Sequence, residues 1–281
     1  MMELLPRKQH CATEQLARKL SQHVPLTPNE LLILQKIASD IRPVARRRDI
    51  IQEGKNKQQV FFVIDGILIR YRILRDGRRQ VVNIVIPGDI AGIPGCFFDN
   101  AFYSVKTLTD SVVAVAPLAQ LVGLLTTQPL LAAKIFWSFS CDAAIYAEHL
   151  VMVGRRSALE RIAHFLLELM TRLQVVGLAD GRSFHIPLSQ EVIGDALGLS
   201  IAYVNRMLRQ LADDGMVVIK DHKVVINDVD ALSALADFEQ GYLKPTPLSQ
   251  YLKPGCTGLA AGRPKKLRPP APSEGLAPYP L

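Results

Sequence analysis

The spacing of hydrophobic positions changes twice along the chain. In LTPNELLILQKIA (26–38), Leu31, Leu34 and Ile37/Ala38 recur at helical intervals. Thr27 stands as the cap and Pro28 at the first helical position, so a helix starts there. From 44 to 116 the pattern breaks into short β-rich runs separated by glycine turns: VFFVI (60–64), ILIRYRIL (67–74) and VVNIVI (81–86). Ile69, Tyr71 and Ile73 alternate with Arg70 and Arg72, the period of a half-buried strand. Asp-Gly pairs at 65–66 and 76–77 mark tight turns. Many short strands punctuated by glycine predict a small antiparallel barrel or jelly roll.

From about 118 the spacing is helical again. Residues 129–156 have no glycine before Gly154, and Ile135, Ser138/Phe139, Asp142, Ile145, His149 and Met152 form one stripe at roughly heptad spacing. A helix of this length, about 37 Å, is long for one flank of a small domain. It packs either on its own barrel or on a second copy of itself. In 158–173, Ile162, Phe165/Leu166, Leu169 and Leu173 line one helical face. A turn (VGLADGRS) and a short strand (FHIPLS) follow, then helical pieces at 189–197 and 200–213. Strands at 216–220 and 223–227 read as a hairpin around Asp221–His222.

The two helical pieces carry a helix-turn-helix pattern. With Gln190 as the first of twenty positions, Gly194 falls at the fifth, Gly198 at the ninth, and Val204 and Met207 at the fifteenth and eighteenth. The fifth position must be small because the second helix crosses there. The ninth lies in the turn, where a left-handed backbone suits glycine. The later two anchor the second helix to the core. Ser189 and Ser200 stand where caps are needed. At about 100° per residue, Val204, Met207, Leu208 and Leu211 share one side of the second helix. Ala202, Arg206 and Arg209 lie opposite, flanked by Tyr203, Asn205 and Gln210. Arginine binds guanine bidentately in the major groove, and Asn or Gln does the same for adenine. The hairpin that follows, with Lys220, His222 and Lys223 near its tip, is placed as a wing against phosphates. The polar face therefore points to double-stranded DNA as partner.

The fold class this predicts is α+β: an N-terminal antiparallel β-roll, jelly-roll-like, a long helix, and a C-terminal winged helix-turn-helix. The expected boundaries are a helical extension (1–25), the β-roll (26–127), the long helix (128–156), the winged helix-turn-helix (157–236) and a disordered basic tail (237–281).

Charge adds little. The net charge is +7, but residues 241–281 hold six Lys/Arg against one Glu, so the rest is near neutral. Nine of the eighteen prolines lie from Tyr242 onward, the composition of a disordered segment. No run of 18 consecutive apolar residues suggests a membrane span, and the first residues lack a signal-like apolar run, so a cytoplasmic setting is expected. Cys11, Cys96, Cys141 and Cys256 are far apart, with no CxxC pair; neither a metal site nor a disulfide framework is expected. No arrangement places a base beside a nucleophile, so no catalytic residues are expected. Arg46–Arg47–Arg48 and Arg78–Arg79 read as exposed turns, with contact to DNA or polymerase as the alternative.

With these residues in view, the chain resembles the Crp/Fnr family of bacterial transcription regulators over roughly residues 26–240. GRRSALERIAHFLLEL, DALGLSIAYVNRMLRQL and DGRRQVVNIVIPGDIAG are most similar to a branch without close ties to the cyclic-AMP receptor. The resemblance implies a cyclic-nucleotide-binding-like roll (26–127) as sensor, a homodimer through helix 129–153, and a DNA reader; RNA polymerase is a further possible partner. It also exposes two departures. Nucleotide-binding members carry a Gly-Glu pair for the ribose and an Arg-Ser pair for the phosphate. Here those places, the candidate effector pocket, hold Gly92–Ile93 and Tyr103–Ser104. Without that arginine and carboxylate, cyclic AMP is not expected to bind, no cofactor is expected, and any effector is unidentified. In the second helix, the receptor's Arg-Glu pair is Ile201–Ala202, and Arg206 alone matches its later arginine, so the target sequence differs. Oxygen-sensing members hold an iron–sulfur cluster on N-terminal cysteines; Cys11 alone lies there, so none is expected. The candidate DNA contacts are Ser189, Ser200, Ala202, Tyr203, Asn205, Arg206, Arg209 and Lys223. The alternative reading is a ligand- or redox-gated sensor with an effector in the roll, Cys96 and Cys141 being the thiols concerned. His149 is expected to be solvated or hydrogen-bonded rather than a haem ligand or pH sensor.

Overall fold

Helix starts follow local chemistry. In the computed structural model, which describes residues 13–22, 24–55 and 58–244, α1 spans Glu14–Leu20 and α2 Pro28–Ile37. The Thr27 hydroxyl accepts from the Glu30 N–H at 3.2 Å, and the Glu30 carboxylate accepts from the Thr27 N–H at 2.8 Å. This reciprocal pair satisfies donors that a helix start leaves open. Residues 1–12 of the expected N-terminal extension lie outside the described residues.

Eight strands follow: β1 (Asp40–Val44), β2 (Asp49–Ile51), β3 (Gln59–Asp65), β4 (Leu68–Ile73), β5 (Arg79–Val85), β6 (Ile90–Ala91), β7 (Ser104–Thr107) and β8 (Ser111–Pro117). They form two antiparallel four-stranded sheets, in the orders β1-β8-β3-β6 and β2-β7-β4-β5. Phe61, Val63, Leu68, Val85, Tyr103, Val105, Val113 and Val115 fill the space between them. The jelly-roll expectation holds.

Three helices continue the chain: α3 (Leu118–Thr127), α4 (Pro129–Arg155) and α5 (Ala158–Val175), the last with a capping box of Ser157 and Glu160. The reader then comprises β9 (Ala179–Asp180), β10 (Ser183–His185), α6 (Gln190–Leu197), α7 (Ile201–Asp213), β11 (Val217–Lys220), β12 (Lys223–Ile226) and α8 (Val229–Ala236). Its small sheet runs β11-β12-β10-β9.

Each sheet of the roll is covered on its outer face. Val60, Phe62, Ala114 and Ala116 meet Leu16, Leu20, Leu34 and Leu131 of the helices on one side. On the other, Ile69, Tyr71, Val81 and Ile84 join Phe165, Leu169, Val192 and Leu197 in one core that runs from the roll into the reader. This burial corrects two readings. Arg70 does not face solvent: β4 is covered on both faces from Leu68 to Tyr71, while Arg72 and Ile73 beyond are exposed, and the Arg70 side chain is 3 % exposed. Arg79 is not an exposed turn residue. Its guanidinium donates to Asp195 at 2.7 Å and to Glu191 at 3.2 Å, both on α6, while Gln80 donates to the Ala196 carbonyl at 3.2 Å. The β4–β5 hairpin thus grips the first helix of the reader.

Helix α5 is buried all round, not along one stripe. It lies between roll and reader. Glu168, Thr171 and Arg172 on it are hydrogen-bonded, whereas the buried His164 ring has no hydrogen-bond partner among the described residues. Arg172 donates to Asp89 at 2.9 Å, to the Ile84 carbonyl at 2.7 Å, and to Asn83 and Glu168 at 3.2 Å. Lys19 reaches the same Asp89 at 2.7 Å. The expected boundary at 237 also moves. Phe238 and Leu243 are buried in the core, and Tyr242 donates to Glu168 at 3.4 Å, so the packed chain runs to 244. The rest of the expected tail, 245–281, lies outside the described residues.

His149 on α4 is hydrogen-bonded: its ring lies 2.9 Å from the Glu168 carboxylate and 3.3 Å from the Val82 carbonyl. Burial pushes the imidazole pKa down, but the charge and hydrogen bond of Glu168 outweigh it and raise it above 6.5. Burial likewise pushes Glu168 up, and His149 and Arg172 outweigh it, holding it at about 2. A raised histidine stabilises the fold fully below its unfolded pKa and loses that contribution as pH rises through the folded value. A depressed glutamate contributes above its unfolded 4.5 and loses it as pH falls toward about 2. The stability difference between wild type and His149→Gln in urea unfolding should therefore be largest near pH ~5–6 and shrink above pH ~7.

Along α4 the residues buried in this chain include Leu131, Ile135, Ser138, Ile145 and Met152. The stripe read from the sequence is thus largely the face that packs on its own protomer. Among the described residues α4 is the one helix long and apolar enough to cross a membrane, with 39 % of its most apolar stretch buried. Lys134, Asp142, Glu148 and His149 lie along it.

Candidate nucleic-acid interface

Two serines and two glycines set the geometry of α6 and α7. The Ser189 hydroxyl accepts from Val192 N–H at 3.2 Å, and the Ser200 hydroxyl from Tyr203 N–H at 3.3 Å. Gly198 ends α6 with φ +66°, in the left-handed region. Gly194 has ordinary φ, but a Cβ there would lie 2.5 Å from the Leu199 carbonyl oxygen. Gly194→Ala is expected to lower stability by roughly 1–3 kcal/mol through overpacking, measured by urea unfolding; an unchanged midpoint would show that the crossing is loose.

Helix α7 is strongly two-faced. Val204, Met207 and Leu211 are buried against α5 and α6. Ala202, Tyr203, Arg206, Arg209 and Gln210 are exposed, and Asn205 is half-buried on the same side. The Arg206 guanidinium lies 4.1 Å from the Tyr203 ring centroid, a stack that orients the fork without using its in-plane donors. Ser189 and Ser200 stand exposed at the starts of the two helices. Lys223 opens β12, paired across from Lys220. The turn between them places Asp221 and His222 at φ 50° and 62°, a two-residue hairpin turn with both residues left-handed. The structure thus brings all eight candidate contacts onto α6, α7 and the wing.

Sequence reasoning missed some features here. Asp213 and Asp214 close the C-terminal end of the same α7 face, confining positive charge to its first three turns. Val218 and Ile219 on the wing are exposed, and the His185 and His222 rings meet at 6.1 Å. The Asp213–Asp214 pair stands in the sequence itself; the exposure of Val218 and Ile219 and the meeting of the two histidines need the fold.

The candidate effector residues are dispersed around the roll. Gly92 lines a cavity of about 150 Å³ with Lys55, Gln59, Gly95 and Cys96. Ile93 packs in the outer cluster with Leu16 and Leu20. Tyr103 sits in the interior, its hydroxyl accepting from Gly95 N–H at 3.3 Å. The Ser104 hydroxyl accepts from Glu53 N–H at 3.0 Å.

Known proteins agree with this architecture. The profile of the cyclic nucleotide-binding domain matches residues 41–128, and that of the Crp-like helix-turn-helix domain residues 160–235. The nitrogen fixation regulation protein FixK of Rhizobium meliloti is 29 % identical over 191 residues, 68 % of this chain and 84 % of its own. The regulatory protein HlyX of Actinobacillus pleuropneumoniae is 25 % identical over 80 % of this chain and 92 % of its own. Among solved structures, FixK2 from Bradyrhizobium japonicum superposes with a TM-score of 0.63 at 27 % identity, over 69 % of this chain and 96 % of that one. Both halves, in this order and with this geometry, are those of one group of DNA-binding regulators: the chain belongs to the Crp/Fnr family of transcription regulators.

Proposed function

We propose that the regulator works as a cytoplasmic homodimer that sets α7 of each protomer in successive major grooves of a roughly palindromic operator, about one helical turn apart. The observation that carries this reading is the exposed face of α7, where Arg206 is stacked on Tyr203 beside Asn205 and Ala202. Arg206, Asn205 and Tyr203 take base or near-base contacts, with Ala202 close against the groove. Arg209, Ser200, Ser189 and Lys223 take phosphates. Asp213 and Asp214 repel the backbone at the far end. RNA polymerase is the further partner this role calls for.

The dimer reading draws on α4. Phe136, Ser140, Ala143, Ala147, Leu150 and Gly154 recur every three or four residues and are all exposed; Phe136 and Leu150 are 69 % and 77 % exposed. Apolar residues at heptad spacing, interleaved with small ones, suit close pairing with a second α4.

Cyclic AMP does not fit this reading: Tyr103 fills the interior where the family's arginine would stand, and the cavity beside Gly92 is small. Calorimetric titration with cyclic AMP should give no saturable heat; micromolar binding would contradict it. Redox gating draws no support from the thiols, since burial pushes Cys96 and Cys141 each up to about 11 and so disfavours thiolate.

Fluorescence anisotropy on duplex DNA against salt tests the DNA role. Log affinity should fall steeply and linearly with log salt. A flat response would mean that the winged helix grips something other than phosphate.

A further inference from the structure

Arg70 projects from β4 into the roll, on the face opposite to Ile69 and Tyr71. Its guanidinium carbon lies 4.7 Å from the Tyr103 ring centroid and 5.6 Å from that of Tyr146 on α4. Stacking of this kind occupies the faces of a guanidinium and leaves its in-plane N–H groups unused. Among the described residues those groups find no protein acceptor: Nε is buried without a hydrogen bond, and no carboxylate lies within ion-pair distance. Asp142 feels the charge of Arg70 from farther away. The neighbouring Tyr146 hydroxyl is likewise buried without a partner. Buried donors are rarely left unpaired, and here two belong to side chains whose guanidinium and ring lie 5.6 Å apart, one of them cationic.

What they lack is an acceptor, and the one that matches a planar cationic fork is an oxyanion. Tyr103 also links the pair to the cavity of about 150 Å³ lined by Lys55, because its hydroxyl bonds Gly95 in that cavity's wall. We propose that Arg70 and Tyr146 form the binding site for a small oxyanion, the carboxylate or phosphate group of an effector. Arg70 grips it through its fork, Tyr146 donates its hydroxyl, and the two rings keep the guanidinium in place. The chain has thus moved its anion-binding arginine from the position of Tyr103 to β4. Carried by β4 and α4, the site touches the hairpin that holds α6 through Arg79, so occupancy bears directly on the reader. This deepens, and rests on, the reading of the roll as the sensor half of the regulator.

The test uses the full-length protein without DNA, titrated by calorimetry with inorganic phosphate and, separately, with succinate, at constant chloride. Wild type should bind at least one of them saturably, and which one separates phosphate from carboxylate effectors. Arg70→Lys keeps the charge but not the fork and should weaken binding at least tenfold. Tyr146→Phe keeps the ring and removes one donor, and should weaken it several-fold. Should Arg70→Lys fail to fold, Tyr146→Phe decides. Binding that both variants retain in full belongs to another place on the surface and overturns the proposal. So does the absence of saturable binding to wild type; if Arg70→Lys then also dissociates the dimer, the missing acceptor comes from the second copy. DNA affinity of the same preparations measured without added anion tests the regulator reading by itself, so failure here is distinguishable from failure of that reading.

Discussion

Ala147→Glu is expected to convert the protein to a monomer and to lower its operator affinity by roughly a hundredfold or more. Ala147 is exposed at the middle of the Phe136–Gly154 stripe and makes no part of the core of its own protomer. In a dimer paired along this stripe, the two glutamates would lie close together across the two-fold axis. Two carboxylates would then be desolvated against apolar and small residues with no cation to pair them. The protomer itself loses nothing, so its unfolding midpoint should stay near that of wild type at low concentration. The loss of affinity follows from geometry: two linked readers bind the second half-site as an intramolecular event, and one reader alone does not. Sedimentation and anisotropy on the same samples measure both effects. A variant that stays dimeric would place the dimer interface elsewhere.

Arg206→Ala is the second large effect, at about 1–3 kcal/mol of operator binding, or roughly five- to a hundredfold or more. The loss should fall on one base pair per half-site: the variant should bind the cognate operator and one substituted at that pair nearly equally. The reason is geometric. The stack on Tyr203 at 4.1 Å leaves the in-plane N–H donors of the guanidinium free, and on the proposed reading two of them would meet the O6 and N7 of one guanine. Arg206→Lys should recover the salt dependence but not the discrimination, because an ammonium has no fork. Equal weakening on every sequence would make Arg206 a phosphate contact instead.

The reader was legible in the sequence because its determinants are local. Gly194, Gly198, Ser189 and Ser200 act within a few residues of themselves, and the apolar face of α7 is set by Val204, Met207 and Leu211. The β-roll was legible for the same reason: its strands are short and its turns rich in glycine. Long-range covering was not. Arg70 sits in a run that alternates like a half-buried strand, and nothing nearby says that its second face turns into the roll. Arg79 sits in a short basic run, and nothing nearby says that α6 brings Asp195 and Glu191 to it. The run of small residues on α4 was passed over because Ser140, Ala143 and Ala147 carry little hydrophobic signal, while Ile135, Ile145 and Met152 on the neighbouring face carry much. Phe238 and Leu243 were lost in a proline-rich context that begins just after them. Tyr146 gave no signal, since its meaning depends on Arg70, more than seventy residues earlier.

The most direct measurement is selection of bound fragments from sheared genomic DNA by the purified protein, with no ligand added. The account predicts recovery of fragments sharing a palindrome whose half-sites are about one helical turn apart. Recovery of fragments with no common sequence, on protein that is folded and dimeric, would contradict it.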